Sequence, residues 1–118
     1  MRVYILENHS IKIQNMLCWL AEKSNVEEIS LIKNESLFLE LAEREPPDLA
    51  FIRLGDEEIP GLTIGNKLYQ MGNKTDIIYI SDDRSQALNA YEVGAAGYLL
   101  GPIEKNKFER CLSNLQNR

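Results

Sequence analysis

Histidine is almost missing from this chain, cysteine is scarce, basic charge is in deficit and no apolar run is long. His9 is the single histidine, which excludes catalytic triads and zinc sites built on several imidazoles. It is read as a surface residue at the start of a helix. The two cysteines, Cys18 and Cys111, lie inside helical patterns without metal-ligand spacing, and are read as free, semi-buried thiols of a reducing compartment. No hydrophobic stretch approaches the roughly 20 residues of a membrane span. The opening Arg2-Val3-Tyr4-Ile5-Leu6 is too short for the apolar core of a signal peptide and reads as a strand. The expected location is therefore the cytoplasm, away from membranes. Lys and Arg number 13 against 18 Asp and Glu, a net charge of −5, which argues against nucleic-acid binding by this domain alone. What remains is 118 residues with 44% hydrophobic content and no repeat or linker, enough for one domain over 1–118 with one real core.

Short apolar runs alternate with helical patterns five times along the sequence. Strands are expected at Val3–Leu6, Ile29–Ile32, Leu49–Ile52, Ile77–Ile80 and Tyr98–Leu100. The intervening helices carry apolar faces at Ile11, Ile13, Leu17 and Leu20, then at Leu37, Phe38, Leu41 and Ala42 behind an Asn34 N-cap. Leu62–Met71 is a third helix closed by Gly72, Arg84–Val93 a fourth ended by Gly94, and Lys105–Leu115 the last. Strict alternation implies right-handed crossovers and a parallel sheet with helices on both faces. The near-continuous apolarity of the third and fourth strands fits burial on both sides.

In such a doubly wound α/β sheet, chemistry collects beyond the carboxyl ends of the central strands. Those ends are Glu7-Asn8, Arg53, Ser81-Asp82 and Gly101-Pro102. Three further segments stand out: Pro47-Asp48-Leu49, Pro60-Gly61-Leu62, and the run from Ala90-Tyr91-Glu92-Val93-Gly94-Ala95-Ala96-Gly97 through Tyr98-Leu99-Leu100-Gly101-Pro102-Ile103. Together they resemble the receiver domain of two-component response regulators, and most closely receivers that precede a LytTR-type DNA-binding domain. The last run is the most specific part of the likeness. The resemblance implies a CheY-like, flavodoxin-like fold with five parallel strands in the order 2-1-3-4-5. The flavin and dinucleotide chemistry of related folds is not expected, because the Glu7-Asn8-His9-Ser10 turn lacks a phosphate-wrapping loop, and Gly94 and Gly97 are out of order for a fingerprint.

The same resemblance assigns roles to positions, and several are substituted. The family's cation-holding acidic pair falls on Glu7 and Asn8, its phosphoacceptor on Arg53 and its clamp lysine on Gly101. The switch hydroxyl falls on Ser81, the switch aromatic on Tyr98, and a cis-proline on Pro102. A guanidinium is neither nucleophile nor metal ligand. No catalytic residue and no cofactor are therefore expected, and Mg²⁺ should not bind well. Asp56, Glu57 and Glu58 are read as a solvated acidic loop. Two readings of Arg53 stay open: an internal pair with Glu7, extended to Asp82, which is preferred, or a pocket for a small acidic ligand. Tyr98 could point inward beside Ser81 or outward. The expected function is that of an atypical, phosphorylation-independent receiver, not an enzyme. It would act in bacterial transcription through a protein partner or homodimer on the fourth helix, fifth strand and fifth helix, with DNA reached only through a further C-terminal domain. The alternative is a sensor of a small acidic ligand at Arg53.

Overall fold

A computed structural model of the chain describes residues 1–56, 59–72, 74–92 and 94–116. Glu57, Glu58 and Val93, the predicted end of the fourth helix, lie outside the described residues. Strands β1 (Arg2–Leu6), β2 (Glu28–Ile32), β3 (Leu49–Arg53), β4 (Asp76–Ser81) and β5 (Gly97–Leu100) alternate with helices α1 (Gln14–Ala21), α2 (Glu35–Arg44), α3 (Gly61–Gln70), α4 (Ala87–Glu92) and α5 (Lys105–Gln116). All pairings are parallel, in the order β2-β1-β3-β4-β5. The fold expected from the sequence is the fold observed.

Period-two alternation divides the core between the two faces of the sheet. Val3 and Ile5 of β1 join Phe51, Ile78 and Ile80 beneath α1 and α5, with Met16, Leu20, Phe108 and Leu112. Tyr4 and Leu6 point the other way, to Ile52 and Tyr79, with Phe38, Ala42, Ile64 and Leu68 of α2 and α3. Trp19 packs on Phe108 with ring centroids 5.3 Å apart, so the first and last helices do lie side by side. Cys18 and Cys111 are both free, and burial raises the Cys111 thiol pKa.

Two apolar assignments differ from the sequence pattern. Ile11 is 76% exposed, because Ser10–Ile13 is a 3₁₀ turn; Ile13, Met16 and Leu20 are the fully buried residues of the first helical segment, with Leu17 and Trp19 packed partly buried against the core. Leu37 is also exposed, the stripe of α2 starting at Phe38; Asn34 caps that helix, its side chain accepting from Leu37 N–H at 2.8 Å. A 3₁₀ geometry turns each residue by 120° instead of 100°, so helical periodicity misplaces faces there.

Tyr79 is the least comfortable core residue. It is fully buried against Gly65 of α3, and its hydroxyl has no hydrogen-bond partner among the described residues. Burial pushes its pKa up to about 12. An unpaired buried hydroxyl costs about 1–3 kcal/mol, so Tyr79→Phe should raise stability by about 1 kcal/mol in urea melts. A stability loss in that variant would reveal a partner for the hydroxyl.

Candidate functional site

Parallel register and side-chain alternation bring Glu7 and Arg53 together. Val3 is paired with Leu49 and Leu6 with Ile52, so the next step along both strands sets Glu7 beside Arg53 on one face. Arg53 is itself the last residue of β3, paired with Ile80. Its Nε donates to Glu7 Oε2 at 2.5 Å. Neither group meets solvent: Glu7 is 0% and Arg53 4% exposed. A charge-assisted bond of this length in a desolvated place is strong, and each charge there depends on the other.

From this buried pair the charges alternate outward. Arg53 Nη1 lies 3.7 Å from Asp82 Oδ1, and Lys12 Nζ lies 3.3 Å from Asp82 Oδ2. Lys12 was not foreseen as a site residue; it reaches the cleft from the 3₁₀ turn ahead of α1. Asn8 follows Glu7, half-buried. Gly101 lies under Asp82, where an added Cβ would meet Asp82 Oδ1 at 2.2 Å. Thus the place of a long side chain at 101 is taken by a carboxylate from the neighbouring strand end. The Gly101–Pro102 peptide bond is cis.

A second group of contacts centres on Asp83. Ser81 Oγ accepts from Asp83 N–H at 3.0 Å and donates to Asp83 O at 3.2 Å, with Gln86 Oε1 3.4 Å away. The Tyr98 hydroxyl donates to the same carbonyl oxygen. Tyr98 packs partly buried against the α2–α3 side of the core, with its hydroxyl on the loop that leaves β4. The N-cap of the turn before α4 is Asp83, accepting from Ser85 N–H at 2.9 Å, and those hydrogen bonds lower its pKa. Asp83-Arg84-Ser85-Gln86 has the spacing of a capping box, a signal in the sequence that would have located this hub.

These elements frame a cleft of about 520 Å³ lined by Arg53, Ser81, Asp82, Asp83, Asp56 and Lys12, among others. Asp56 is not solvated: its side chain is 11% exposed and lies 3.6 Å from His9 Nε2, while His9 is 62% exposed. Three carboxylates (Asp56, Asp82, Asp83) face two permanent cations (Lys12, Arg53) in the described lining. Among the described residues, no group of three or more His, Cys, Asp or Glu side chains could hold a metal ion.

Residues 3–113 match the response regulator receiver domain family. The chain belongs to that family. Receivers of this kind are signalling domains of two-component systems, and transcriptional regulators are among the relatives. The sensory transduction protein LytR of Streptococcus mutans is 21% identical over 98% of this chain and 48% of its own length. The transcriptional regulatory protein YpdB of Escherichia coli is 22% identical, again over 98% of this chain and 48% of its own. This receiver therefore spans about half the length of those curated relatives. Among solved structures, the response regulatory domain of mrkE from Klebsiella pneumoniae superposes with a TM-score of 0.86 at 23% identity, covering 99% of this chain and 96% of that one. That similarity speaks for the receiver fold. No helix among the described residues is long and apolar enough to cross a membrane.

Proposed function

We propose that this receiver works without phosphorylation, as a protein-interaction module of a bacterial transcriptional regulator in the cytoplasm. The observation that carries the reading is the buried Arg53–Glu7 ion pair, which puts a cation where receiver chemistry needs a carboxylate nucleophile. Covalent phosphoryl transfer needs a nucleophile with an available lone pair, and a guanidinium has none to give. A hard divalent ion does not fit either. Mg²⁺ takes oxygen ligands in octahedral array, yet Glu7 is the one carboxylate left of the usual acidic pair, its Oε2 is engaged by Arg53, and that guanidinium repels a cation from the same carboxylate.

The output surface in this reading is the face formed by α4, β5 and α5. Leu88 and Tyr91 of α4 are 70% and 53% exposed. Tyr91, Tyr98, Leu100, Lys107 and Arg110 surround a groove of about 290 Å³ along the edge strand β5. Exposed apolar groups ringed by charge suit a homodimer or a protein partner. DNA would be reached through a further domain, as the output of the full-length regulator.

Incubation with acetyl phosphate and Mg²⁺ tests the reading by intact mass. No acyl phosphate should form; a stoichiometric, hydroxylamine-labile adduct would overturn it. Calorimetric titration with MgCl₂ should likewise give no saturable heat. Low-millimolar binding that Glu7→Gln abolishes would restore the metal site.

A further inference from the structure

We infer that the free edge of β2 is a self-recognition surface, where a second copy of this chain pairs antiparallel and extends the sheet across a two-fold axis. β2 is the outer strand beside β1, at the end of the sheet remote from β5. The inference therefore goes beyond the α4–β5–α5 output surface and does not depend on it. Glu7 N–H donates to Ile32 O, and Leu6 is paired with Ile32. In a parallel ladder, alternate residues of a strand turn both backbone groups to the same neighbour. Glu28, Ser30 and Ile32 thus face β1, while the N–H and C=O of Ile29 and Leu31 point away from the sheet. Among the described residues, no hydrogen bond covers those outward groups.

Little in β2 keeps such an edge from pairing. It has no proline, its register with β1 runs unbroken over five residues, and Ile29 and Leu31 are only partly buried. Its charges stand at the two ends, acidic at Glu27 and Glu28 and basic at Lys33. Glu28 is engaged within the chain, accepting from Arg2 Nε at 2.7 Å. Glu27 is 84% exposed on its side chain, with a contact of 3.7 Å to the Met1 amine, and Lys33 is exposed with no ion pair among the described residues. That leaves Glu27 and Lys33 to decide what pairs here, and in what register.

Symmetry and charge select a second copy. A two-fold axis normal to the sheet keeps each face on its own side, so residues of like parity must oppose one another. With the axis at Ser30, Ile29 lies opposite Leu31 of the second copy, and Leu31 opposite its Ile29. Those residues carry the uncovered N–H and C=O groups, so each such pair exchanges two hydrogen bonds. Their side chains meet as apolar cross-strand pairs on the α1 face. The same register sets Glu27 opposite Lys33 of the second copy, twice over by symmetry, so opposite charges close both ends of the seam. An axis at Leu31 would put Lys33 opposite Ile29 and leave Glu27 without a cation across the seam. Parallel pairing would bring Glu27 beside Glu27 and Lys33 beside Lys33.

Sedimentation velocity from micromolar to millimolar concentration tests the inference, on a parent chain carrying Leu88→Glu. That substitution places charge on the α4 face and leaves β2 untouched, so association through the output surface does not mask the result. The parent should show a reversible monomer–dimer equilibrium, and the Ile29 and Leu31 amides should gain hydrogen-exchange protection as concentration rises. Lys33→Glu and Glu27→Lys should each weaken the dimer about tenfold by setting like charges across the seam. An equimolar mixture of the two should restore it as a heterodimer. A dimer insensitive to either reversal, or one lost in both and not restored by mixing, would overturn the proposal. So would a monomer over the whole range, or assemblies larger than a dimer. Both substituted positions lie outside β2 and are exposed, so urea melts of the dilute variants should overlay on the parent.

Discussion

Arg53→Ala should lose about 3–5 kcal/mol of folding stability, the cost of leaving one charge of a buried pair without its partner. Glu7 is 0% exposed and accepts from Arg53 at 2.5 Å, so truncation strands a carboxylate that water cannot reach. The whole folding free energy of a domain this size is about 5–15 kcal/mol, so the variant should be marginal. Urea melts read the effect as a midpoint shift on the order of 2 M. Arg53→Met combined with Glu7→Leu should recover most of the loss, because an apolar pair needs no compensation. Arg53→Asp should be worse than alanine without Mg²⁺, since it sets a second carboxylate against Glu7. Wild-type stability in Arg53→Ala would show that the pair contributes nothing and that Glu7 finds another cation.

Gly61→Ala should be nearly as damaging, at about 3 kcal/mol, for a steric reason. A Cβ at Gly61 would lie 2.3 Å from the Arg53 carbonyl oxygen and 2.8 Å from Leu54 Cδ2. The first of these is backbone at the end of β3 and cannot rotate away, so the start of α3 must shift from the sheet. That shift would also disturb the strand end that carries the Arg53 guanidinium. Gly72→Ala is the control: its φ of +75° gives some backbone strain, but no atom lies within 4 Å. It should cost only about 1–2 kcal/mol. Differential scanning calorimetry of the two variants compares the effects directly, and equal melting temperatures would mean that the β3–α3 junction yields easily.

The sequence by itself determined the alternation of elements, the two-sided burial of the sheet and, through its resemblance to receivers, the strand order. It also determined that a guanidinium stands at the end of β3 and an amide beside Glu7, because those are chemical identities, independent of geometry. The pairing of Arg53 with Glu7 was legible as charge balance between neighbouring strand ends. Its depth was not: that both groups are closed to water depends on helices packed from elsewhere in the chain. Lys12 and Asp82 meet across 70 residues of sequence, and no local pattern announces that contact. Ile11 and Leu37 obey helical spacing and still face solvent, one because its turn is 3₁₀ and one because α2 starts its buried stripe a residue later. Asp56 looked like part of a solvated acidic loop and is largely covered, near His9. Gly61 stood out in the sequence only as part of the Pro60-Gly61-Leu62 segment, and the reason glycine is needed there is the Arg53 carbonyl beneath it. Periodicity and residue chemistry are properties of neighbours along the chain. Register between parallel strands, and the closeness of groups joined through crossovers, arise only when the sheet assembles, and tertiary packing alone could decide them.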